Sequence, residues 1–265
     1  MKVGIVGFGS IGTEVAKALI IGVENFSLYG VVSRSKKNVE RRILQLNHQI
    51  KIFELETLIE KCDIIIDCAP KEAFREIATQ CIQNNKILIT VSGAGILDNL
   101  DLEEMAKEKN TQIILATGAI LGLDALRAAS ESKINSVKMI TRKPPNALSN
   151  APYVIENGIQ LDKLLASKLI FKGSATEGAK AFPANVNVAA AVGLAGIGAD
   201  KTELEIWADP TVVRNTHTIT VDSDSAKFTM TMENIPSENP KTGRIVAQSV
   251  VAMLRKMTSH FQVGT

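Results

Sequence analysis

Cysteine is scarce in this 265-residue chain and poorly spaced for chemistry: Cys62, Cys68 and Cys81 are odd in number and form no C-x-x-C pair. That argues against a disulfide framework or a zinc site and predicts reduced, partly buried thiols in a cytoplasmic protein. An excess of either charge is lacking too. Thirty Lys and Arg against 28 Asp and Glu leave a net +2 without a long single-sign run, so neither nucleic acid nor an acidic membrane is an expected partner. No basic stretch followed by a signal-type apolar core opens the chain, because the apolar run at residues 3–6 breaks at glycines. The most apolar later stretch, residues 184–198, carries two asparagines and is shorter than a membrane span requires. What remains is 45% hydrophobic and 22% charged, the make-up of an ordinary globular protein of one or two domains with a real core.

The chain is organised around its start. Val3, Ile5 and Val6 run into Gly7-Phe8-Gly9-Ser10-Ile11-Gly12, and Val15, Ala16, Ala18 and Leu19 then recur at helical spacing. A glycine-rich turn between a strand and a helix is a dinucleotide-binding fingerprint. Gly7 permits the tight turn, Gly9 lets a pyrophosphate approach, and Gly12 lets helix and strand pack closely. The backbone of Ser10 and Ile11 lies at the helix N-terminus, where unpaired N–H groups and the dipole suit phosphate. The alternative is a structural βα turn, since glycine clusters also mark ordinary turns.

Strands at residues 27–32, 64–67, 86–91 and 112–116 alternate with helical patterns at 39–46, 55–61, 71–83 and 100–109. That alternation predicts a doubly wound parallel sheet of Rossmann type, with ligand loops at the strands' carboxyl ends. Three such loops are residues 33–37, 68–71 and 92–95. At the first of them NAD-selective proteins usually place an acid; here the chain reads Ser33-Arg34-Ser35-Lys36-Lys37, which suits a 2′-phosphate or is merely a solvated basic loop. NADP is therefore expected to bind at least as well as NAD. Ala69 and Pro70 are expected to wall the cofactor channel, and Asp67 before them is either structural or functional.

After residue 116 the pattern changes. Residues 117–122 form a glycine-bearing hinge, followed by a helix through Ala129 and a strand at 138–141; residues 146–152, rich in Asn, Ser and Pro, predict an ordered loop or a flap. A strand at 169–172 leads to Ser174 and Glu177, spaced as a capping box. The same helix start beside Lys172 is alternatively an anion site for a carboxylate. Asn185 reads as a cap for an apolar helix through Leu194, whereas Asn187 lies deeper and needs a partner if buried. Of three histidines, His48 and His260 sit in polar surroundings. His217 shares a strand face with Val213, Asn215, Ile219 and Val221. Such a histidine is either a satisfied core residue or the group that moves a proton near neutral pH. Lys241 and Thr242, at the start of the last helix, either bind an anion or simply begin that helix.

Gly118-Ala119-Ile120 with Gly122-Leu123-Asp124, the stretch Thr141-Arg142-Lys143-Pro144-Pro145, residues 172–175 and 182–188, Asp209-Pro210 with Asn215 and His217, and residues 239–243 together resemble the L-aspartate dehydrogenase family. The resemblance spans most of the chain. It implies a Rossmann domain over residues 1–117, with the C-terminal helix 240–258 packing back on it, and an α/β (α+β) catalytic and dimerisation domain over residues 118–239. It implies oxidation of L-aspartate by NADP or NAD to iminoaspartate, which feeds NAD biosynthesis or hydrolyses to oxaloacetate and ammonia. His217 matches the family's acid/base histidine, and Ala119 and Asn187 match cofactor contacts. The expected substrate contacts are Lys172, Ser174, Asn215, Lys241 and Thr242, in a homodimer with no metal. The alternatives are a reductase related to homoserine dehydrogenase or dihydrodipicolinate reductase, and a non-catalytic dinucleotide sensor.

Overall fold

The computed structural model describes residues 1–182, 186–237 and 243–264, the side chains of residues 36 and 186 excepted. Two units emerge: Met1–Gly118 with Val246–Gln262, and Ala119–Ile245 with Val263–Thr265.

In the first unit the elements are β1 (Lys2–Val6), α1 (Ser10–Gly22), β2 (Ser27–Val32), α2 (Lys36–Leu46), α3 (Leu55–Lys61), β3 (Ile64–Asp67), α4 (Phe74–Gln83), β4 (Ile87–Thr90), α5 (Gly93–Leu97), α6 (Leu102–Glu108) and β5 (Ile113–Leu115). The strands form one parallel sheet in the order β2-β1-β3-β4-β5. The central strands are apolar on both sides because both sides are covered. Val3, Ile5, Ile64 and Ile66 face a core with α1 and the last helix, Ile245–Thr258, which contributes Ala247, Val250 and Leu254. Val6, Ile65 and Leu88 face the other core, with Leu58 of α3, Ile77 of α4 and Leu102 of α6. A further strand beside β2 is reduced to a single parallel bridge, Val31 to Ile52. Strand order therefore reverses between β1 and β3, the switch point where open α/β sheets bind ligands.

The loop expected at residues 92–95 is helical instead. Ser92 caps α5 by accepting a hydrogen bond from the Gly95 N–H at 3.2 Å, a local bond that outweighs the turn-like composition.

The second unit comprises α7 (Leu123–Ser130), β6 (Ile134–Lys143), α8 (Pro152–Glu156), β7 (Lys168–Ser174), α9 (Ala175–Ala181), α10 (Val186–Ala195), β8 (Glu203–Ala208), β9 (Asn215–Ser223) and β10 (Lys227–Asn234). Its mixed sheet runs β10-β9-β6-β8-β7, with β6 and β8 parallel. Strands β8 and β10 were not anticipated from the sequence, and β6 reaches two residues beyond the expected end. Residues 146–152 are an ordered connection: a short turn at Pro145–Ala147 and fully buried Leu148 anchor it.

Alternation gives this sheet two unlike faces. Val137, Met139, Leu204, Ile206, Ile219 and Val221 are buried on one, against the layer of α7, α9 and α10. The opposite face is polar: Lys138 bridges Glu203 and Glu205 at 3.0 and 2.7 Å, Arg142 lies over Trp207, and Thr218 meets Thr231.

Candidate active site

In the first unit the candidate site is the turn after β1. Gly7 has φ +89°, and a Cβ there would lie 2.5 Å from the backbone nitrogen of Ala69. A Cβ on Gly12 would collide with the carbonyl oxygen of Gly7. Around Gly9, by contrast, a Cβ would meet nothing within 4 Å. Gly9 is the N-cap of α1 and brings no side chain to it, and the first turn holds no acid. The arrangement is a close-packed turn with open space over a long helix's N-terminus, the shape and polarity that a pyrophosphate requires.

Neighbouring loops are organised by Asp67, at the end of β3. Its carboxylate accepts hydrogen bonds from the Ala69 N–H at 2.9 Å and the Thr90 hydroxyl at 2.8 Å, and Thr90 in turn accepts from the Ser92 N–H at 2.9 Å. One buried acid thus holds the Ala69-Pro70 loop and the end of β4. Burial pushes its pKa up to about 6 against the opposing pull of those hydrogen bonds. Since the folded value is raised from 3.8, the native state binds the proton more tightly. The associated stability is fully present below 3.8 and lost as pH rises through about 6. It amounts to roughly 3 kcal/mol at most. Asp67→Asn should therefore gain stability relative to the unsubstituted protein as pH rises across that window, read by thermal melts; parallel melting curves at every pH would sink this assignment.

Ser33 is half-buried, and Arg34 and Ser35 are exposed. Ser35 also caps α2, accepting from the Asn38 N–H at 3.4 Å.

In the second unit a separate cluster lies on the apolar face of the mixed sheet. His217 in β9 pairs with Thr141 in β6 on one side and Met232 in β10 on the other. It is 4% exposed, and its Nδ1 lies 3.0 Å from the Thr141 hydroxyl. Lys143, two residues along β6 on the same face, is 5% exposed. Burial, and then the charge of Lys143, push the His217 pKa from 6.5 down to about 3, so the ring is neutral at physiological pH. Burial likewise pushes Lys143 down to about 8. The next row of the sheet pairs Asn215 with Asn234. Asn234 is buried and donates to the Ala119 carbonyl at 3.0 Å, while its Oδ1 has no hydrogen-bond partner among the described residues. An N–H brought by a ligand would satisfy it.

Other expected contacts fall elsewhere. Lys172 lies on the opposite face of the sheet from His217, with its ammonium 3.5 and 3.6 Å from Glu203 and Glu205. Ser174 is occupied by a complete capping box with Glu177, whose carboxylate accepts from the Ser174 N–H at 2.7 Å and would repel an incoming carboxylate. Strand alternation turns Lys172 away from His217, and Ser174 is engaged by the acid of its own helix. Asn187 is exposed in the first turn of α10 rather than deep inside it. Lys241, Thr242 and Asn185 lie outside the described residues. The alternation Val137, Met139, Thr141 continues to Lys143, two residues past the expected strand end, whereas nothing local in the sequence marks Asn234.

A Rossmann-type sheet with an open glycine turn and a second sheet carrying a buried histidine define a class, the two-unit dinucleotide-dependent dehydrogenases. Comparison with known proteins narrows it. Residues 7–116 match the family model described as homoserine dehydrogenase, NAD binding domain, and residues 124–257 that described as aspartate dehydrogenase, C-terminal. The L-aspartate dehydrogenase of Bradyrhizobium diazoefficiens is 46% identical over 100% of this chain and 94% of its own, and L-aspartate dehydrogenase 3 of Bordetella bronchiseptica is 46% identical over 100% and 98%. The crystal structure of aspartate dehydrogenase from Thermotoga maritima superposes with a TM-score of 0.80 at 25% identity, covering 100% of this chain and 99% of that one. The chain belongs to the L-aspartate dehydrogenase family. No helix among the described residues is long and apolar enough to cross a membrane.

Proposed function

We propose that this protein oxidises L-aspartate to iminoaspartate with NADP or NAD, the imine then hydrolysing to oxaloacetate and ammonia, and that the reverse direction is a reductive amination. The observation that carries the reading is His217, neutral, buried and hydrogen-bonded to Thr141, in a chain that aligns end to end with L-aspartate dehydrogenases. When bound, the nicotinamide supplies the hydride acceptor. Gly7, Gly9, Ser10, Ile11 and Gly12 hold its pyrophosphate, Ser33, Arg34 and Ser35 its adenosine end, Ala69 and Pro70 flank it, and Ala119 and Asn187 complete the contacts. His217 takes the proton that the substrate amine releases, or activates the water that hydrolyses the imine. For that, Nδ1–H donates to Thr141 and Nε2 keeps its lone pair. Asn215, in the neighbouring row, contacts the substrate. The reading includes a homodimer and a supply of iminoaspartate to NAD biosynthesis.

The test is reduction of NADP, followed by absorbance, with L-aspartate against D-aspartate, L-glutamate and L-homoserine. Turnover confined to L-aspartate supports the reading; turnover of L-homoserine instead would move the protein to the homoserine dehydrogenase reaction. We assign the preference for NADP to Arg34, whose guanidinium suits a 2′-phosphate. Arg34→Ala should raise KM for NADP by about 10- to 100-fold, the worth of a charge-assisted hydrogen bond, and leave KM for NAD within about twofold. Equal losses with both cofactors would refute that role.

A further inference from the structure

We propose that Asn234 is a further substrate-binding residue, whose Oδ1 accepts an N–H from the amine that gives its proton to His217. The inference rests on the reading of the substrate as L-aspartate and adds to it the group that holds the reacting nitrogen.

Among the described residues three buried side-chain oxygens have no hydrogen-bond partner, one each on Gln80, Glu203 and Asn234. Gln80 belongs to α4 of the first unit. The Glu203 oxygen lies on the polar face of the mixed sheet, 3.0 Å from the Lys138 ammonium, so its charge is compensated there. Of the three, Asn234 shares the face of His217, because β10 pairs Met232 with His217 and Asn234 with Asn215. Residues on such a diagonal are about 7–8 Å apart, so both side chains can reach one nitrogen placed between them.

The neighbouring backbone settles which way the amide points. The Ala119 carbonyl can only accept, so the atom 3.0 Å from it is Nδ2, and Oδ1 is the atom left over. A Cβ on Gly243 would lie 2.8 Å from that oxygen; glycine there keeps a side chain from covering it. The oxygen without a partner is an acceptor, which excludes a carboxylate. An ionised amino dicarboxylate carries acceptors at both ends, and its amine is its one source of N–H. Leaving a buried amide oxygen unbonded costs free energy, which an arriving N–H recovers. A neutral acceptor also suits the chemistry. A carboxylate in its place would favour the ammonium form and oppose the proton's transfer to His217.

The experiment measures binding of L-aspartate and of succinate to the NADPH-loaded protein by calorimetry; the reduced nicotinamide prevents turnover. Succinate has the same two carboxylates and no amine. Asn234→Leu, close in volume and without polar side-chain atoms, should weaken L-aspartate by about 10- to 100-fold and leave succinate within about threefold. Asn234→Asp keeps an acceptor in place and is made with it, so that misfolding of one variant does not leave the matter open. It should hold L-aspartate within about threefold and lower its turnover with NADP by roughly tenfold or more, a split that lost packing would not give. Equal losses of L-aspartate and succinate in both variants would reduce Asn234 to a support for Ala119 and overturn the proposal. A loss confined to NADPH affinity also overturns it, giving the oxygen to the nicotinamide carboxamide, as does an unsubstituted protein that binds neither dicarboxylate. If the Leu variant loses L-aspartate selectively but the unsubstituted protein never oxidises it, the proposed reaction fails while the amine seat stands. If L-aspartate is oxidised and the Leu variant binds it undiminished, the reaction stands and the seat falls.

Discussion

Replacing His217 with alanine should lower turnover of L-aspartate by about 10²- to 10⁴-fold, the usual contribution of a positioned proton-transfer group, and leave NADPH affinity unchanged. The size follows from the absence of a substitute among the described residues. On the same face of the sheet the nearest polar groups are the Thr141 hydroxyl, the asparagines 215 and 234, and Lys143, whose pKa of about 8 keeps it charged at neutral pH and unable to take a proton. Thr141→Val should give a smaller loss, because it removes only the hydrogen bond that orients the ring. The surroundings also make a statement about pH. Burial and the neighbouring ammonium hold His217 near 3, so kcat/KM, which reports the free enzyme, should show no break near the ordinary histidine value of 6.5. Below the break an unperturbed imidazole would be protonated and lost as a base; here the base form persists throughout. A break near 6.5 that disappears in His217→Ala would show that water or a mobile charge relieves the burial. A turnover within a few-fold of the unsubstituted protein would remove His217 from the chemistry altogether.

Gly7→Ala should abolish dinucleotide binding and unfold much of the first unit's stability. The methyl group would lie 2.5 Å from the Ala69 nitrogen, closer than real Cβ contacts, at a φ of +89° that alanine rarely adopts. Neither neighbour yields easily, because the Ala69 N–H is bonded to buried Asp67 and the Gly7 N–H donates to the Val32 carbonyl at 2.9 Å. Backbone strain of about 1–3 kcal/mol and overpacking of similar size add to several kcal/mol, against a total stability of about 5–15 kcal/mol for a typical domain. Gly9→Ala is the control. Its methyl group enters open space, so the melting temperature should hold while NADPH affinity falls, because the methyl occupies the room a phosphate needs. Equal melting temperatures and NADPH affinities for Gly7→Ala and the unsubstituted protein would refute the account of the turn.

Much of the first unit was legible in the chain itself. The stretches 27–32, 55–61 and 64–67 are bounded as read, because doubly covered strands are continuous apolar runs such as Ile64-Ile65-Ile66, and helices between them carry a stripe of period 3.6. The glycines at 7 and 12 could be sorted into turn and packing positions because each demand is local, and Gly9 between them faces open space. Ser174 with Glu177 was equally local: four residues suffice to specify a capping box. The placement of His217 on the apolar face also followed from alternation alone, since a strand's side chains have a period of two.

What the sequence could not decide was which strands become neighbours, and that is where the candidate site acquires its character. Thr141 and His217 are 76 residues apart and meet only because β6 and β9 pair in that register; a slip of one residue would turn His217 to the polar face. The same register places Lys143 on the face of the ring and Lys172 on the other. The depressed basicity of His217 is likewise a tertiary property, because desolvation depends on what covers a residue and not on what precedes it in the chain. Local chemistry determined the glycine turn, the caps and the facing of each strand. Long-range pairing and burial decided which charges share a face with the histidine, since Coulomb energies depend on distance and dielectric, which only the packed sheet sets.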